Sequence, residues 1–228
     1  MKETKIIVAL ETKDSINIAP KIIKYVDGFK INHLFWSEIT HWPDRAFNGS
    51  FKSFKNKELF VDFKLWDTPN TIETVVKKVI DRGGTMVSIN AHNSHEVFER
   101  LRKLSDQIKL VGVVSLTSWG PEAERGILRD ISYNVWSQCM AKLRNNNFQD
   151  LVCPVTELRT IKSLDFTGPS AFRYICPGIV FEKETSGQAR TGTPKQAKDE
   201  GASTIILGRT VTEAENPNEV LVKIKGSL

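Results

Sequence analysis

Eight short apolar runs punctuate the chain at near-regular intervals, and no other feature restricts its fold so strongly. They fall at 5–10 (KIIVAL), 28–34 (GFKINHL), 58–65 (ELFVDFKL), 85–90 (TMVSIN), 108–116 (IKLVGVVSL), 149–153 (QDLVC), 173–177 (RYICP) and 203–208 (STIILG). Each is rich in Ile, Val, Leu or Phe and bounded by polar, Gly or Pro residues, as expected of strands buried on both faces. Segments with helical spacing lie between them. Residues 70–82 place Ile72, Val75, Val76, Val79 and Ile80 on one face, opposite Glu73, Lys77, Lys78 and Asp81. Pro69 suits the first turn of that helix and Gly83-Gly84 its end. Val97, Leu101 and Leu104 repeat the pattern over 94–104. Thr193-Pro194 opens a helix closed at Gly201, and 210–226 supplies a last one.

Strands alternating with helices, at about 28 residues per unit, predict an α/β protein built as a single (β/α)8 barrel over residues 1–228. An open doubly wound sheet is the runner-up. Its nucleotide signatures, GxGxxG or GxxxxGK[ST] after the first strand, are missing. No linker or low-complexity tract divides the chain, so one domain is expected.

The chain has 228 residues, 40% hydrophobic and 26% charged, which is ordinary for a soluble globular protein. A net charge of +5, spread along the chain, suits an anionic small ligand and argues against nucleic acid, which uses clustered basic stripes. Cys139, Cys153 and Cys176 are an odd number without CxxC spacing and read as reduced core thiols. The opening MKETKIIVALETKD holds an apolar run of only five residues, too short for a signal core or membrane span. A soluble, cytoplasmic protein with no membrane partner is expected.

The third run carries charge where a buried strand should not. VDFKLWDTPNT, residues 61–71, sets Asp62, Lys64 and Asp67 among Val61, Phe63, Leu65 and Trp66. A buried charge is costly unless it is paired or used. Strand side chains alternate, so Asp62 and Lys64 point the same way, about 6.6 Å apart along the strand. Phe60 joins them in the barrel interior, while Val61, Phe63 and Leu65 face the helices. Both charges lie near the strand's C-terminal end, where barrel enzymes build active sites. A purely structural Asp–Lys pair is the competing reading, but an apolar pair of similar volume is often no less stable. The functional reading has Lys64 held protonated between carboxylates, to deliver a proton or stabilise a carbanion.

DFKLWDTPNT resembles the DxKxxDxPxT signature of the orotidine 5'-monophosphate decarboxylase family, and the order of other features agrees over nearly the whole chain. The resemblance implies a cofactor-free homodimer that decarboxylates orotidine 5'-monophosphate to uridine 5'-monophosphate in pyrimidine synthesis. Its two active sites would lie at the subunit interface. Asp62 and Lys64 would act with Asp67 and Thr71 contributed across that interface, Lys64 protonating C6 of the pyrimidine. Lys30, in GFKIN, would complete the charged array and contact the ribose.

A barrel enzyme holds a substrate phosphate at the loops after strands 7 and 8, beside a helix N-terminus. ILGRTVTEA at 206–214 offers Gly208 and Arg209 there, and the family's GR phosphate site matches them. After strand 7, Gln188 in CPGIVFEKETSGQARTGTP matches a glutamine that bridges phosphate and pyrimidine. Thr117 and Ser118, in LTSWG, match the hydroxyl pair around the pyrimidine amide.

Three positions depart from the family pattern. Glu11 in ALE replaces the usual Asp, one methylene shorter. Val180 in PGIV replaces a phosphate-binding Arg, with Arg190 as a candidate substitute. Asn93-Ser94-His95 replaces a Gly-rich segment. His92 and His95 form an HxxH pair without further ligands at metal spacing, so no metal is expected. Trp66 and Trp119, near the proposed site, read as packing residues. Two rivals stand: a magnesium-dependent sugar-phosphate decarboxylase or aldolase on the same scaffold, and a non-catalytic nucleotide-binding barrel. The first carries an acid at the Lys30 position and lacks the PNT continuation.

Overall fold

The computed structural model describes residues 3–41, 45–46, 56–120, 122, 126, 132–165, 172–181 and 191–228. Eight parallel strands close into a barrel: β1 (Lys5–Leu10), β2 (Gly28–Ile31), β3 (Glu58–Leu65), β4 (Met86–Asn90), β5 (Lys109–Val113), β6 (Asp150–Val152), β7 (Arg173–Ile179) and β8 (Thr204–Leu207). Each strand pairs with its sequence neighbours, and β8 closes the ring on β1, with Lys5 opposite Thr204 and Val8 opposite Leu207. The expected single (β/α)8 barrel is the observed architecture.

Eight α-helices are described around it: α1 (Lys13–Ile22), α2 (Pro69–Asp81), α3 (His95–Arg102), α4 (Ser132–Asn145), α5 (Leu158–Ser163), α6 (Pro194–Asp199), α7 (Arg209–Thr212) and α8 (Pro217–Ser227). The helix expected over 210–226 is therefore two. Asn216 caps the second through Glu219 N–H, and Pro217 occupies its first turn, where a missing N–H costs nothing. Sequence periodicity does not single out α1, α4 or α5. Thr12 and Ser15 bond each other's backbone N–H groups in a capping box that starts α1. A 3₁₀ segment (His33–Glu38) and a two-stranded antiparallel ribbon (Ile39–His41 with Arg45–Ala46) follow β2, which ends at Ile31, short of the expected residue 34. Among the described residues no helix is long and apolar enough to cross a membrane.

Alternation along each strand splits the core in two. Ile7, Ala9, Phe60, Met86, Val111, Ile175 and Ile206 fill the barrel interior. Val8, Leu10, Phe29, Ile31, Leu59, Val61, Ile89 and Ile205 face outward against the helices, where Ile72, Val76 and Val79 of α2 meet them. Phe63 and Leu65 pack against that outer layer, as the alternation predicted. Backbones approach closely where β2 meets β3: a Cβ on Gly28 would lie 2.5 Å from the Glu58 carbonyl oxygen, so only glycine fits. Cys139, Cys153 and Cys176 are buried free thiols, as expected of core residues. Burial pushes the Cys176 thiol up to about 12, far from a reactive thiolate.

Candidate active site

Above the apolar barrel floor the interior positions turn polar. A cavity of about 620 Å³ opens at the C-terminal ends of the strands. Glu11 beyond β1, Lys30 on β2, Asp62 and Lys64 on β3, Thr117 and Ser118 beyond β5, and Gly208 and Arg209 beyond β8 all line it. One chain thus gathers eight of the eleven site residues expected from sequence.

Four of them form an alternating chain of charge. Lys30 Nζ donates to Glu11 and, at 3.0 Å, to Asp62 Oδ2; Lys64 Nζ donates to the same oxygen at 2.8 Å. Ser88 Oγ donates to the other oxygen, Asp62 Oδ1, at 2.8 Å. Burial works to raise the Asp62 carboxyl, but the charges of Lys30 and Lys64, with hydrogen bonds from Lys64 and Ser88, outweigh it and hold the group at about 2. Lys30 is only 6% exposed. Burial works to lower its pKa, yet Asp62 and Glu11 carry it above the ordinary lysine value. The Lys64 side chain, 41% exposed, faces the cavity.

Backbone geometry aims Lys64. Its φ of 49° is left-handed, a conformation that costs a side-chain-bearing residue about 1–2 kcal/mol. The β3–β4 register slips at the same place. Val61 pairs with Val87 and Leu65 with Ile89, so β3 advances four residues while β4 advances two. Bulges of this kind re-aim side chains beside active sites. Ser88, fully buried opposite the bulge, accepts the Lys64 N–H at 2.7 Å. Asn93 Nδ2 donates to the Leu65 carbonyl at 2.8 Å. Sequence reasoning took neither residue as part of the site. Ser88 reads as an ordinary strand serine, and Asn93 stands out only as part of the segment that replaces a Gly-rich one.

Ser115 was also missed. It lines the cavity at 1% exposure, and its Oγ has no hydrogen-bond partner among the described residues. An unpaired buried hydroxyl invites a polar ligand group.

Beyond β8, Gly208 caps the short helix α7; a Cβ there would meet no atom within 4 Å, so the backbone is open to an approaching group. Arg209 and Thr210 stand beside it, with Glu213 on the same wall. Val180 lines the cavity at the position where the family resemblance implies an arginine. Gln188 and Arg190 lie outside the described residues.

Asp67 and Thr71 do not reach this cavity. Both are exposed at the start of α2, where Asp67 Oδ1 accepts the Thr68 N–H at 2.6 Å and Thr71 Oγ1 lies 2.9 Å from Thr68 Oγ1. Trp66 beside them is 73% exposed, which corrects the packing role expected for it. Trp119 is half-buried. His92 Nε2 sits 2.9 Å from the Val114 carbonyl oxygen, while His95 is exposed at the head of α3. Among the described residues no group of three or more His, Cys, Asp and Glu side chains is placed to hold a metal ion.

A family model described as "Orotidine 5'-phosphate decarboxylase / HUMPS family" matches residues 4–224. The chain is 33% identical over 181 residues to the orotidine 5'-phosphate decarboxylase of Psychromonas ingrahamii, covering 76% of each chain. It is 29% identical over 243 aligned positions to that of Aliivibrio fischeri (strain MJ11), covering 100% of this chain and 98% of the other. In fold it is similar to the crystal structure of orotidine 5'-phosphate decarboxylase from Lactobacillus acidophilus, with a TM-score of 0.71, 22% identity and 99% coverage of both chains. An uncharacterized conserved protein from Geobacillus kaustophilus gives a TM-score of 0.75 at 19% identity, covering 97% of this chain and 99% of that one.

Proposed function

The chain belongs to the orotidine 5'-phosphate decarboxylase / HUMPS family, and we propose that it decarboxylates orotidine 5'-monophosphate to uridine 5'-monophosphate in pyrimidine synthesis. The observation that carries this reading is the Glu11–Lys30–Asp62–Lys64 chain at the mouth of the barrel.

The reaction breaks the bond between C6 of the pyrimidine and its carboxylate. The electron pair stays on C6, in the plane of the ring, where no π system delocalises it. An ammonium group fixed beside C6 stabilises that charge and then supplies the proton that replaces CO2. Lys64 is that group: it faces the cavity, and Asp62 holds its Nζ in place. Asp62, anionic throughout the physiological range, lies beside the departing carboxylate and favours its conversion to neutral CO2. Preorganised charge then does what an electron-sink cofactor does elsewhere, and we propose cofactor-free catalysis.

Lys30 and Glu11 are assigned to the ribose hydroxyls, and Thr117 and Ser118 to the amide edge of the pyrimidine. Gly208 and Arg209 are assigned to the phosphate, and Gln188 to a bridge between phosphate and base. Arginine suits phosphate through paired N–H donors, and open backbone at a helix start favours an anion. Asp67 and Thr71 are assigned to the active site of a second subunit. Their exposure outside this chain's own cavity supports a homodimer with shared sites. A cytoplasmic location fits such an enzyme.

Lys30 also separates this reading from magnesium-dependent sugar-phosphate chemistry. A buried, doubly paired ammonium occupies the position where that chemistry needs an acid to hold the cation.

The test is to incubate the purified protein with orotidine 5'-monophosphate, without added metal, and follow the ultraviolet spectrum. Conversion to the uridine 5'-monophosphate spectrum is expected. Tight uridine 5'-monophosphate binding without turnover makes the protein a non-catalytic relative. Magnesium-dependent turnover of a ketose phosphate instead overturns the substrate assignment.

A further inference from the structure

We propose that Ser88 is the positioning residue of this site, fixing Lys64 and Asp62 relative to each other through a single hydroxyl. The inference rests on the reading of Lys64 as proton donor and names what holds that donor in place.

Ser88 does not line the cavity and is fully buried, so it acts through its neighbours rather than on a ligand. It sits on β4 between Val87 and Ile89, facing the stretch where β3 carries two extra residues. A bulge leaves backbone groups without their ladder partners. Here the Lys64 N–H turns to Ser88 Oγ at 2.7 Å, and the hydroxyl proton goes on to Asp62 Oδ1 at 2.8 Å. Both bonds meet at one atom, so the backbone that aims the Lys64 side chain is tied to the carboxylate that receives its Nζ. Asn93 closes the far side of the bulge, donating to the Leu65 and Asn90 carbonyls, both at 2.8 Å. The left-handed Lys64 backbone is therefore held on both flanks.

Replacing Ser88 with alanine strands a buried N–H and takes one donor from Asp62. The cavity-lining groups that recognise phosphate and base are untouched. Chemistry should suffer while ground-state binding does not. Threonine keeps the hydroxyl and should restore it.

The parent, Ser88→Ala and Ser88→Thr proteins are compared in three measurements. These are kcat for orotidine 5'-monophosphate, Kd for uridine 5'-monophosphate, and hydrogen exchange of the Lys64 amide by NMR. Ser88→Ala is expected to lower kcat about 100-fold with Kd within about threefold of the parent. The Lys64 amide should exchange at least about tenfold faster, with Val87 and Ile89 amides unchanged. Ser88→Thr should recover kcat to within about fivefold of the parent. Parent-like kcat in a folded Ser88→Ala protein overturns the proposal. Unchanged Lys64 exchange, or equal losses in kcat and product binding, does the same. If the alanine variant does not fold, Ser88→Cys, which fills the space but bonds weakly, is judged by the same outcomes. If the parent does not decarboxylate orotidine 5'-monophosphate, the proposed function fails, and Lys64 amide exchange alone decides the clamp.

Discussion

Lys64 Nζ donates to Asp62 Oδ2 at 2.8 Å, two residues away on one strand, although ideal strand geometry would hold their side chains much farther apart at the base. The bulge and the left-handed Lys64 backbone accompany that contact.

Lys64→Ala removes both the charge beside C6 and the proton donor, so kcat should fall by about 10⁴-fold or more. Lys64→Arg should not rescue it, because a guanidinium does not give up its proton in this pH range and presents a planar fork rather than a point charge. Loss of orotidine 5'-monophosphate absorbance measures both. Near-parent turnover in either variant removes Lys64 from its assigned role.

Asp62 also ties the site to stability. Its folded-state carboxyl lies at about 2 against an ordinary 3.8, so the group is depressed on folding. It contributes about 2 kcal/mol at neutral pH, present above pH 3.8 and lost as pH falls toward 2. Lys30 works in the other direction. Its raised pKa adds stability that is whole below the ordinary lysine value of 10.5 and is lost as pH climbs past it. Urea titrations of parent and Asp62→Asn proteins from pH 7 down to about 2 isolate the acid part as a difference. The gap between them should narrow with acid; a constant gap contradicts the linkage.

Much of this was readable from residue pattern, for reasons that differ between layers. Strands buried on both faces leave continuous apolar runs, so the barrel was legible from spacing, and the charges at 62 and 64 stood out because they broke such a run. The helix α4 was not legible. Its buried stripe of Trp136, Cys139, Met140 and Leu143 is interleaved with Ser, Asn and Gln, and residues of modest helix propensity dominate its first two turns. Pro20 inside α1 hid that helix in the same way. The bulge left no mark either, since nothing in VDFKLWD announces a left-handed lysine where glycine or asparagine is usual. Without it, Ser88 was one more strand residue.

The phosphate end offers a second kinetic test. Arg209 is the cation of the assigned phosphate wall, with Val180 beside the cavity where a second arginine would serve and Glu213 facing the same space. Arg209→Ala should raise KM about 10- to 100-fold with a smaller effect on kcat, as expected when a charge-assisted pair is lost. Val180→Arg should lower KM several-fold, most clearly at low salt. Initial rates across substrate concentration at two ionic strengths check both. A Val180→Arg protein with unchanged KM shows that the phosphate does not pass that wall.

Asp67, Thr71 and Trp66 make the shared-site proposal testable by mixing. Lys64→Ala and Asp67→Ala proteins should each be nearly inactive. In a heterodimer of the two, one site lacks both residues, while the other combines an intact Lys64 with an intact Asp67 from across the interface. Random reassociation makes about half the dimers mixed, so activity should return to about a quarter of the parent value. Mixing should restore nothing if each chain uses its own Asp67. Trp66 gives an independent readout. A ring 73% exposed in the single chain should be covered by the partner, so its fluorescence should shift to the blue as concentration carries the protein through its dimer dissociation constant, and a Trp66→Ala variant should lose that shift.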